Sequence, residues 1–246
     1  MKRIIAGPNQ VEEAIKAGAE LHVLYIQSGL AQKTAARLYH LAEKHHVKTQ
    51  AVDKSSLEIL AKGLTHQGVI ALCGEFPYTS VDMFLQTIHD ALESTVVLLD
   101  QIQDPGNLGA IIRSAYSLGA DGLFITKNRS AQVTAATVRA SVGASELLPI
   151  VRIVNLVATI QQLKDAGFQL FGAALDGAES LSDVTFSPKT AIVLGNEGKG
   201  IRKLTAENCD FLFRIPMATD FESLNVSAAG AIVLYERFRA QMNRDA

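Results

Sequence analysis

The chain has 246 residues, of which 48% are hydrophobic and 20% are charged, and its formal net charge is -2. This balance is that of a globular protein and excludes a long disordered tract, and the slightly negative charge excludes indiscriminate binding of nucleic acid through bulk positive potential. The apolar run after Met1 is too short for a signal peptide, and no apolar stretch approaches the roughly 20 residues of a membrane helix. We therefore expect a cytoplasmic protein with no membrane partner.

The N-terminal third alternates helical and strand patterns. The periodicity predicts helices at 8–17, 31–46 and 55–62 and strands at 21–26, 47–52 and 69–73. Glycine and proline without a sustained period then indicate a linker at 75–80. The sequence thus predicts a small α/β domain at 1–74 and a second domain at 81–246. Residues 1–75 contain 9 Lys and Arg against 7 Asp and Glu, which favours this domain for an accessory RNA contact, although chance explains the excess equally well.

The second domain continues the alternation of helices and strands. We predict helices at 81–93, 107–118 and 224–242, and strands at 95–99, 122–126, 147–151, 169–174, 191–194 and 211–215. Strands that are apolar throughout and separated by helices indicate a mainly parallel sheet, which binds ligands in loops at its strand ends. A stripe on the last helix, formed by Leu224, Ala228, Ala231 and Tyr235, fits either intramolecular core or a dimer contact.

No metal site is predicted. Cys73 and Cys209 lie far apart and form no C-x-x-C or mixed Cys/His spacing, so a structural zinc site has no framework. His45 and His46 would point to different faces of a helix. We expect both cysteines to be reduced and inert.

The first motif is the segment Asp104-Pro-Gly-Asn-Leu-Gly-Ala-Ile-Ile-Arg113. It predicts a turn that enters a helix, with Asn107 as the N-cap. Arg113 lies at the margin of the buried face, and its side chain tilts toward the helix N-terminus, so it can reach the loop that holds Asn107. Taken alone, this motif is structural and Arg113 is a solvated charge.

The second motif, Val193-Leu-Gly-Asn-Glu-Gly-Lys-Gly200, follows an apolar strand. Its three glycines allow a tight loop facing a ligand. A phosphate-binding loop is the rival interpretation, but G-x-x-x-x-G-K-[ST] is missing here and G-x-G-x-x-G is missing throughout the chain. Glu197 in this loop is either exposed or paired with a cation, and Arg113 is the first partner to test.

The third motif contains Ile215-Pro-Met and Ser223-Leu-Asn-Val-Ser227. Ser223 could cap the last helix. Asn225 is predicted one turn inside that largely apolar helix, where an amide is costly unless its hydrogen bonds are used. The bonds could serve either a buried structural contact or a functional site.

Together and in this order, the three segments resemble the motifs of the SpoU (TrmH) branch of the SPOUT methyltransferases across residues 96–236. The whole chain, including Thr65-His-Gln-Gly-Val69, is similar to the RlmB group of guanosine 2'-O-methyltransferases acting on 23S ribosomal RNA. The resemblance implies an α/β fold in which a parallel-sheet catalytic domain with a trefoil knot follows a small RNA-binding domain of the L7Ae/L30e type. It also implies a homodimer formed partly through the C-terminal helix.

The same resemblance implies S-adenosylmethionine as the cofactor and RNA as the partner, with ribosomal RNA favoured and transfer RNA possible. Residues carried over as cofactor contacts are Leu194, Gly195, Asn196, Gly198, Ile215, Met217 and Leu224. Those carried over as catalytic are Asn107, Arg113, Glu197, Ser223 and Asn225. A protein of this fold that binds RNA without turnover is the alternative from another class, and a nucleotide-using α/β enzyme ranks below both.

One stretch of the third motif departs from the family pattern. Thr219 occupies the position two residues after the methionine, where the family usually has glycine. Asp220 and Glu222 add negative charge beside the expected RNA path. We expect these charges to reduce RNA affinity or to alter the choice of target.

Overall fold

The computed structural model describes residues 3–174, 179–196, 198, 200–219 and 223–245, without the side chain of residue 245. The chain divides into two compact units, Met1–Pro77 with Val133–Leu147, and Tyr78–Gln132 with Leu148–Ala246. Residues 133–147 group with the N-terminal unit, whereas the sequence-based division placed them within 81–246. The 75–80 linker stays a prediction.

The N-terminal unit is built on a four-stranded sheet of order β1-β4-β2-β3. Strand β4 runs antiparallel to β1 and β2, and β3 runs parallel to β2. The first strand was missed, since four residues carry too little periodicity to be recognised. The elements are β1 (Arg3–Ala6), α1 (Pro8–Lys16), β2 (Leu21–Gln27), α2 (Gln32–Lys44), β3 (Thr49–Val52), α3 (Lys54–Ala61) and β4 (Val69–Cys73).

A buried ion pair ties residues 133–147 to the first strand. This segment contains α6 (Ala135–Ala140) and a 3-10 turn, Ala144–Glu146. The Arg3 guanidinium pairs with both oxygens of Glu146, and the Nη2–Oε2 distance is 3.0 Å. Arg3 also lies over the ring of Phe76, 5.0 Å from its centroid. No local pattern could predict this pairing, because its partners are 143 residues apart.

The second unit contains a seven-stranded sheet of order β7-β6-β5-β10-β8-β11-β9. Every strand pairing in it is parallel, which confirms the predicted parallel sheet. The strands are β5 (Ser94–Asp100), β6 (Gly122–Thr126), β7 (Ile150–Ile153), β8 (Gln169–Ala173), β9 (Glu179–Ser180), β10 (Lys189–Gly195) and β11 (Phe211–Arg214); the helices are α4 (Val81–Thr87), α5 (Pro105–Ser117), α7 (Leu156–Asp165), α8 (Lys203–Ala206) and α9 (Val226–Asp245), with a 3-10 turn at Leu181–Asp183. The trefoil knot stays a prediction.

Two predicted boundaries in this unit are wrong for identifiable reasons. Helix α4 ends at Thr87 rather than near 93, and Leu92, which a continued helix would include, is 88% exposed. Strand β7 begins at Ile150 rather than 147, since the preceding Pro149 has no N–H to donate to a neighbouring strand.

The last helix buries a different face from the one that its small residues suggested. Val233, Leu234 and Arg237 are buried, whereas Tyr235 is 54% exposed. A Cβ on Gly230 would lie 2.9 Å from Leu194 Cδ1, so α9 approaches β10 closely at that glycine. The stripe that includes Tyr235 is therefore not intramolecular core within the described residues.

Candidate active site

A pocket of about 530 Å³ lies where three neighbouring strands end. Because β10, β8 and β11 are parallel, their carboxyl ends meet at one edge of the sheet, the usual ligand position in such sheets. The volume of the pocket falls within the range of small-molecule sites, roughly 300–1,000 Å³. The lining residues are Ala173, Ala174, Leu194, Gly195, Asn196, Gly200, Phe213, Arg214, Ile215, Pro216, Met217, Thr219, Ser223, Leu224, Val226 and Ala229.

The second motif forms a closed turn on one side of the pocket. The Asn196 N–H donates to the Gly200 carbonyl over 3.0 Å, and the Gly200 N–H donates back over 2.8 Å. Gly200 has φ +62, a conformation that favours glycine. A Cβ on Gly195 would lie 2.0 Å from the Gly200 carbonyl carbon. Both glycines are thus required by the backbone geometry of the turn.

Six of the seven predicted cofactor contacts line this pocket. They are Leu194, Gly195, Asn196, Ile215, Met217 and Leu224. Gly198 does not line it; it is exposed, and its N–H donates to Asn196 Oδ1 over 3.0 Å. The lining combines apolar side chains with backbone groups at strand ends, which suits a ligand that has both an aromatic and a polar part.

The first motif begins differently from its prediction. Asp104, not Asn107, is the N-cap of α5, and its carboxylate accepts from the Asn107 N–H over 2.7 Å. The reason is Pro105 at the first helical position, which lacks an N–H and favours that site. Asn107 therefore lies inside the first turn, and its side-chain amide is directed to a partner from another segment.

That partner is Asn225 of the third motif. The Asn225 Nδ2 group donates to Asn107 Oδ1 over 3.1 Å, which joins residues 118 positions apart. Asn225 was predicted one turn inside α9 and is instead its N-cap: Oδ1 accepts from the Ser227 N–H over 2.9 Å and from the Ala228 N–H over 3.4 Å. The amide cost anticipated from sequence is offset by these bonds. The structure brings the first and third motifs together here.

The other predicted catalytic residues differ in how far the structure describes them. Ser223 lines the pocket. Arg113 is exposed on α5, and its side chain makes no hydrogen bond or ion pair with any described residue. Glu197 lies outside the described residues, so its pairing with Arg113 stays a prediction.

Sequence reasoning missed several residues of the site. Thr219, noted only as a departure from the family pattern, lines the pocket, whereas Asp220 and Glu222 lie outside the described residues. Asp100, fully buried at the end of β5, was not singled out. A carboxylate at the end of an otherwise apolar strand was the available signal.

The described part of the chain contains neither a metal-binding cluster nor a candidate membrane helix. No group of three or more His, Cys, Asp or Glu side chains there is arranged to hold a metal ion. None of the helices described has the length and apolar character needed to cross a bilayer. Burial raises the pKa of the Cys73 and Cys209 thiols to about 12, so both stay protonated at neutral pH.

Two known protein families match this chain, one in its N-terminal part and one in its C-terminal part. A family described as the SpoU rRNA methylase family matches residues 94–235, and one described as RNA 2'-O ribose methyltransferase substrate binding matches residues 4–79. A curated protein of Staphylococcus haemolyticus, whose name assigns it to the TrmH family of tRNA/rRNA methyltransferases, is 38% identical over 96% of this chain and 95% of its own length.

Solved structures resemble the chain over nearly its full length. The SpoU methyltransferase AviRb from Streptomyces viridochromogenes, in complex with the cofactor AdoMet, is 26% identical with a TM-score of 0.83, over 98% of this chain and 91% of that one. An AdoMet-bound rRNA methyltransferase from Sinorhizobium meliloti is also 26% identical, with a TM-score of 0.82 over 97% of this chain and 87% of that one.

Proposed function

We propose, because this chain belongs to the SpoU (TrmH) family of RNA methyltransferases, that it transfers a methyl group from S-adenosylmethionine to a ribose 2'-hydroxyl of RNA. The favoured target is a guanosine of 23S ribosomal RNA. The observation that carries the proposal is the pocket at the ends of β8, β10 and β11, which gathers the second and third motifs around one cavity.

The pocket residues fit the proposed cofactor. Bound S-adenosylmethionine supplies an electrophilic methyl group on a positively charged sulfur. Leu194, Ile215 and Leu224 offer apolar contact to an adenine ring, and the tight turn at Gly195 and Gly200 keeps backbone groups close to the ligand. The chain's part is to hold the donor in one orientation, which lowers the entropic cost of the in-line approach.

Three polar residues suit the ribose side of the site. Asn225 links Asn107 to the start of α9, and its neighbours Leu224 and Val226 line the pocket, so this amide pair lies beside the proposed cofactor. Ser223 also lines the pocket. We assign these side chains to orienting the ribose or the cofactor loop. For transfer to occur, the 2'-oxygen must approach the methyl group in line; its bond to the methyl carbon would form as the carbon–sulfur bond breaks, with the hydroxyl proton passing to water and S-adenosylhomocysteine leaving.

Arg113 is assigned an electrostatic role. An arginine side chain stays protonated in proteins, so it does not act as a base. Its exposed guanidinium, with no ion pair to any described residue, is available to hold the phosphate of the target nucleotide and to stabilise negative charge developing on the hydroxyl oxygen. Glu197 would fix the guanidinium orientation.

Ribosomal RNA is favoured over transfer RNA because an rRNA methyltransferase resembles this chain over nearly its full length. The Sinorhizobium meliloti neighbour, an rRNA methyltransferase by its title, matches across both units, including the segment similar to substrate-binding domains. Transfer RNA is the second candidate, because the name of the Staphylococcus haemolyticus relative includes both RNAs. An RNA-binding protein without turnover is the third.

The proposal also includes a homodimer in the cytoplasm. Helix α9 exposes Ile232, Tyr235 and Met242, and this apolar set suits contact with a second copy. A dimer formed there would bring the partner close to the start of α9, where Asn225 lies.

The test is methyl transfer from labelled S-adenosylmethionine to unmodified 23S ribosomal RNA and, separately, to unmodified transfer RNA. The proposal predicts label in ribosomal RNA and its loss in Arg113→Ala. Label in transfer RNA alone would support the second candidate. Cofactor binding without label in either RNA or in ribosomal particles would contradict methyl transfer to these substrates, and failure to bind cofactor would favour the protein without turnover.

A further inference from the structure

Asp100 is a fully buried carboxylate at the pocket end of the sheet. It is the last residue of β5, and the parallel pairing of β5 with β10 sets it directly beside Gly195. Its two oxygens accept three hydrogen bonds. The donors are the Arg202 N–H at 3.0 Å, Arg202 Nε at 2.7 Å and the Thr205 hydroxyl at 2.8 Å. A buried carboxylate is costly unless it is paired in this way.

These bonds hold the part of the chain that follows the second-motif turn. Arg202 comes two residues after Gly200, and Thr205 lies in α8. The start of the turn is held by Gln101, the residue after Asp100, because the Gln101 carbonyl accepts from Asn196 Nδ2 over 3.0 Å. Gln101 has φ +65, a conformation that a residue other than glycine seldom adopts without compensation. Two consecutive residues therefore fix both ends of the turn: Gln101 binds Asn196 at its start, and Asp100 binds the chain that follows Gly200.

We propose that Asp100 is a positioning residue for the cofactor, acting through the turn from Asn196 to Gly200. It does not line the pocket, whereas Gly195, Asn196 and Gly200 do. Holding both ends of the turn keeps those three residues in the conformation that binds the ligand before it arrives, which reduces the ordering cost of binding. The inference rests on the proposed cofactor site and adds the residue that organises it.

A second aspartate, which is exposed rather than buried, provides a comparison because it binds the opposite end of the same strand. Asp121 accepts from the Ser94 hydroxyl over 2.7 Å and from the Thr95 N–H over 2.9 Å, at the amino end of β5. Its bonds support the strand but not the turn. If Asp100 only stabilised the sheet, loss of either carboxylate would have the same kind of effect on stability and none on the cofactor.

The experiment measures S-adenosylmethionine affinity by isothermal titration calorimetry, well below the unfolding temperature of each full-length variant. Asp100→Asn is expected to weaken binding at least about tenfold, because hydrogen bonds to a charged acceptor contribute more than neutral ones. Asp121→Asn is expected to lower the unfolding temperature and to leave the affinity unchanged. In turnover assays, Asp100→Asn should raise KM for the cofactor and leave KM for RNA unaltered.

A second pair of variants keeps the test decisive if Asp100→Asn does not fold. Thr205→Val removes one donor and is expected to weaken binding several-fold, and Thr205→Ser, which retains the hydroxyl, is expected to restore it. Equal affinity in wild type, Asp100→Asn and Thr205→Val would overturn the positioning role while leaving the cofactor site intact. No binding in any protein, wild type included, would instead overturn the proposed function, and the positioning role with it.

Discussion

Gly195→Ala is expected to abolish or severely weaken cofactor binding, and the reason is steric. The added Cβ would lie 2.0 Å from the Gly200 carbonyl carbon, 2.1 Å from the Ile201 nitrogen and 2.3 Å from the Gly200 oxygen. Non-bonded carbon contacts ordinarily fall at about 3.5–4.0 Å, so the opposing backbone must move by roughly 1.5 Å. These are main-chain atoms, and no side-chain rotation relieves the clash.

The displacement acts on two properties that can be measured separately. Overpacking of this kind costs about 1–3 kcal/mol of folding stability, observable by urea unfolding. The turn also loses its paired bonds between Asn196 and Gly200, and we expect affinity for S-adenosylmethionine to fall at least about tenfold. Calorimetric titration of the folded variant measures this second effect.

Gly198→Ala is the matched control in the same turn. The nearest described atom to a Cβ there is Asn196 Oδ1 at 3.8 Å, an ordinary contact. This variant should bind with much smaller loss than Gly195→Ala. If Gly195→Ala bound the cofactor within about twofold of wild type, the steric reasoning and the position of the cofactor beside this turn would both be refuted.

Three further predictions follow from other contacts. Asn225→Asp keeps the oxygen that caps α9 but replaces the Nδ2 group that donates to Asn107. Urea unfolding of this variant should show near-wild-type stability while methyl transfer falls. Asn225→Ala should also lose about 1 kcal/mol of stability. Burial raises the pKa of the Cys73 and Cys209 thiols from 9.0 to about 12, so both should resist a thiol reagent at pH 8 until denaturant is added; fast labelling of the native protein would contradict this. Arg3→Met leaves the Glu146 carboxylate buried without its partner and should cost about 3–5 kcal/mol of unfolding free energy; a loss below about 1 kcal/mol would indicate that the pair is not buried in solution.

The sequence predicted the regular elements well where periodicity was strong. The apolar strand at 95–99 extends by one residue at each end in the structure, and the strand at 122–126 keeps its bounds. Boundaries failed where one residue overrode the pattern, as Pro149 did at the start of β7. The grouping of residues 133–147 with the N-terminal unit was not predictable, because the contacts that join them, among them the pairing between Arg3 and Glu146, are distant in sequence and have no local signature.

Six of the seven residues expected to contact the cofactor line the pocket, but the geometry of the site could not be predicted from the sequence. Glycines after an apolar strand indicated the pocket wall, and Gly195 and Gly200 lie there. The predicted caps were wrong by two or three positions, because Pro105 begins α5 and makes Asp104 its N-cap, and α9 begins after Asn225. The hydrogen bond from Asn225 to Asn107 joins distant segments, and only the folded sheet brings them together.

The most direct test of the account is the position of the transferred methyl group. After reaction with 23S ribosomal RNA, the RNA is digested to nucleosides and the methylated nucleoside is fragmented in a mass spectrometer, which separates a methylated ribose from a methylated base. The account predicts 2'-O-methylguanosine in the wild-type reaction and none with Arg113→Ala. A methyl group on the base, with the ribose unmodified, would contradict it.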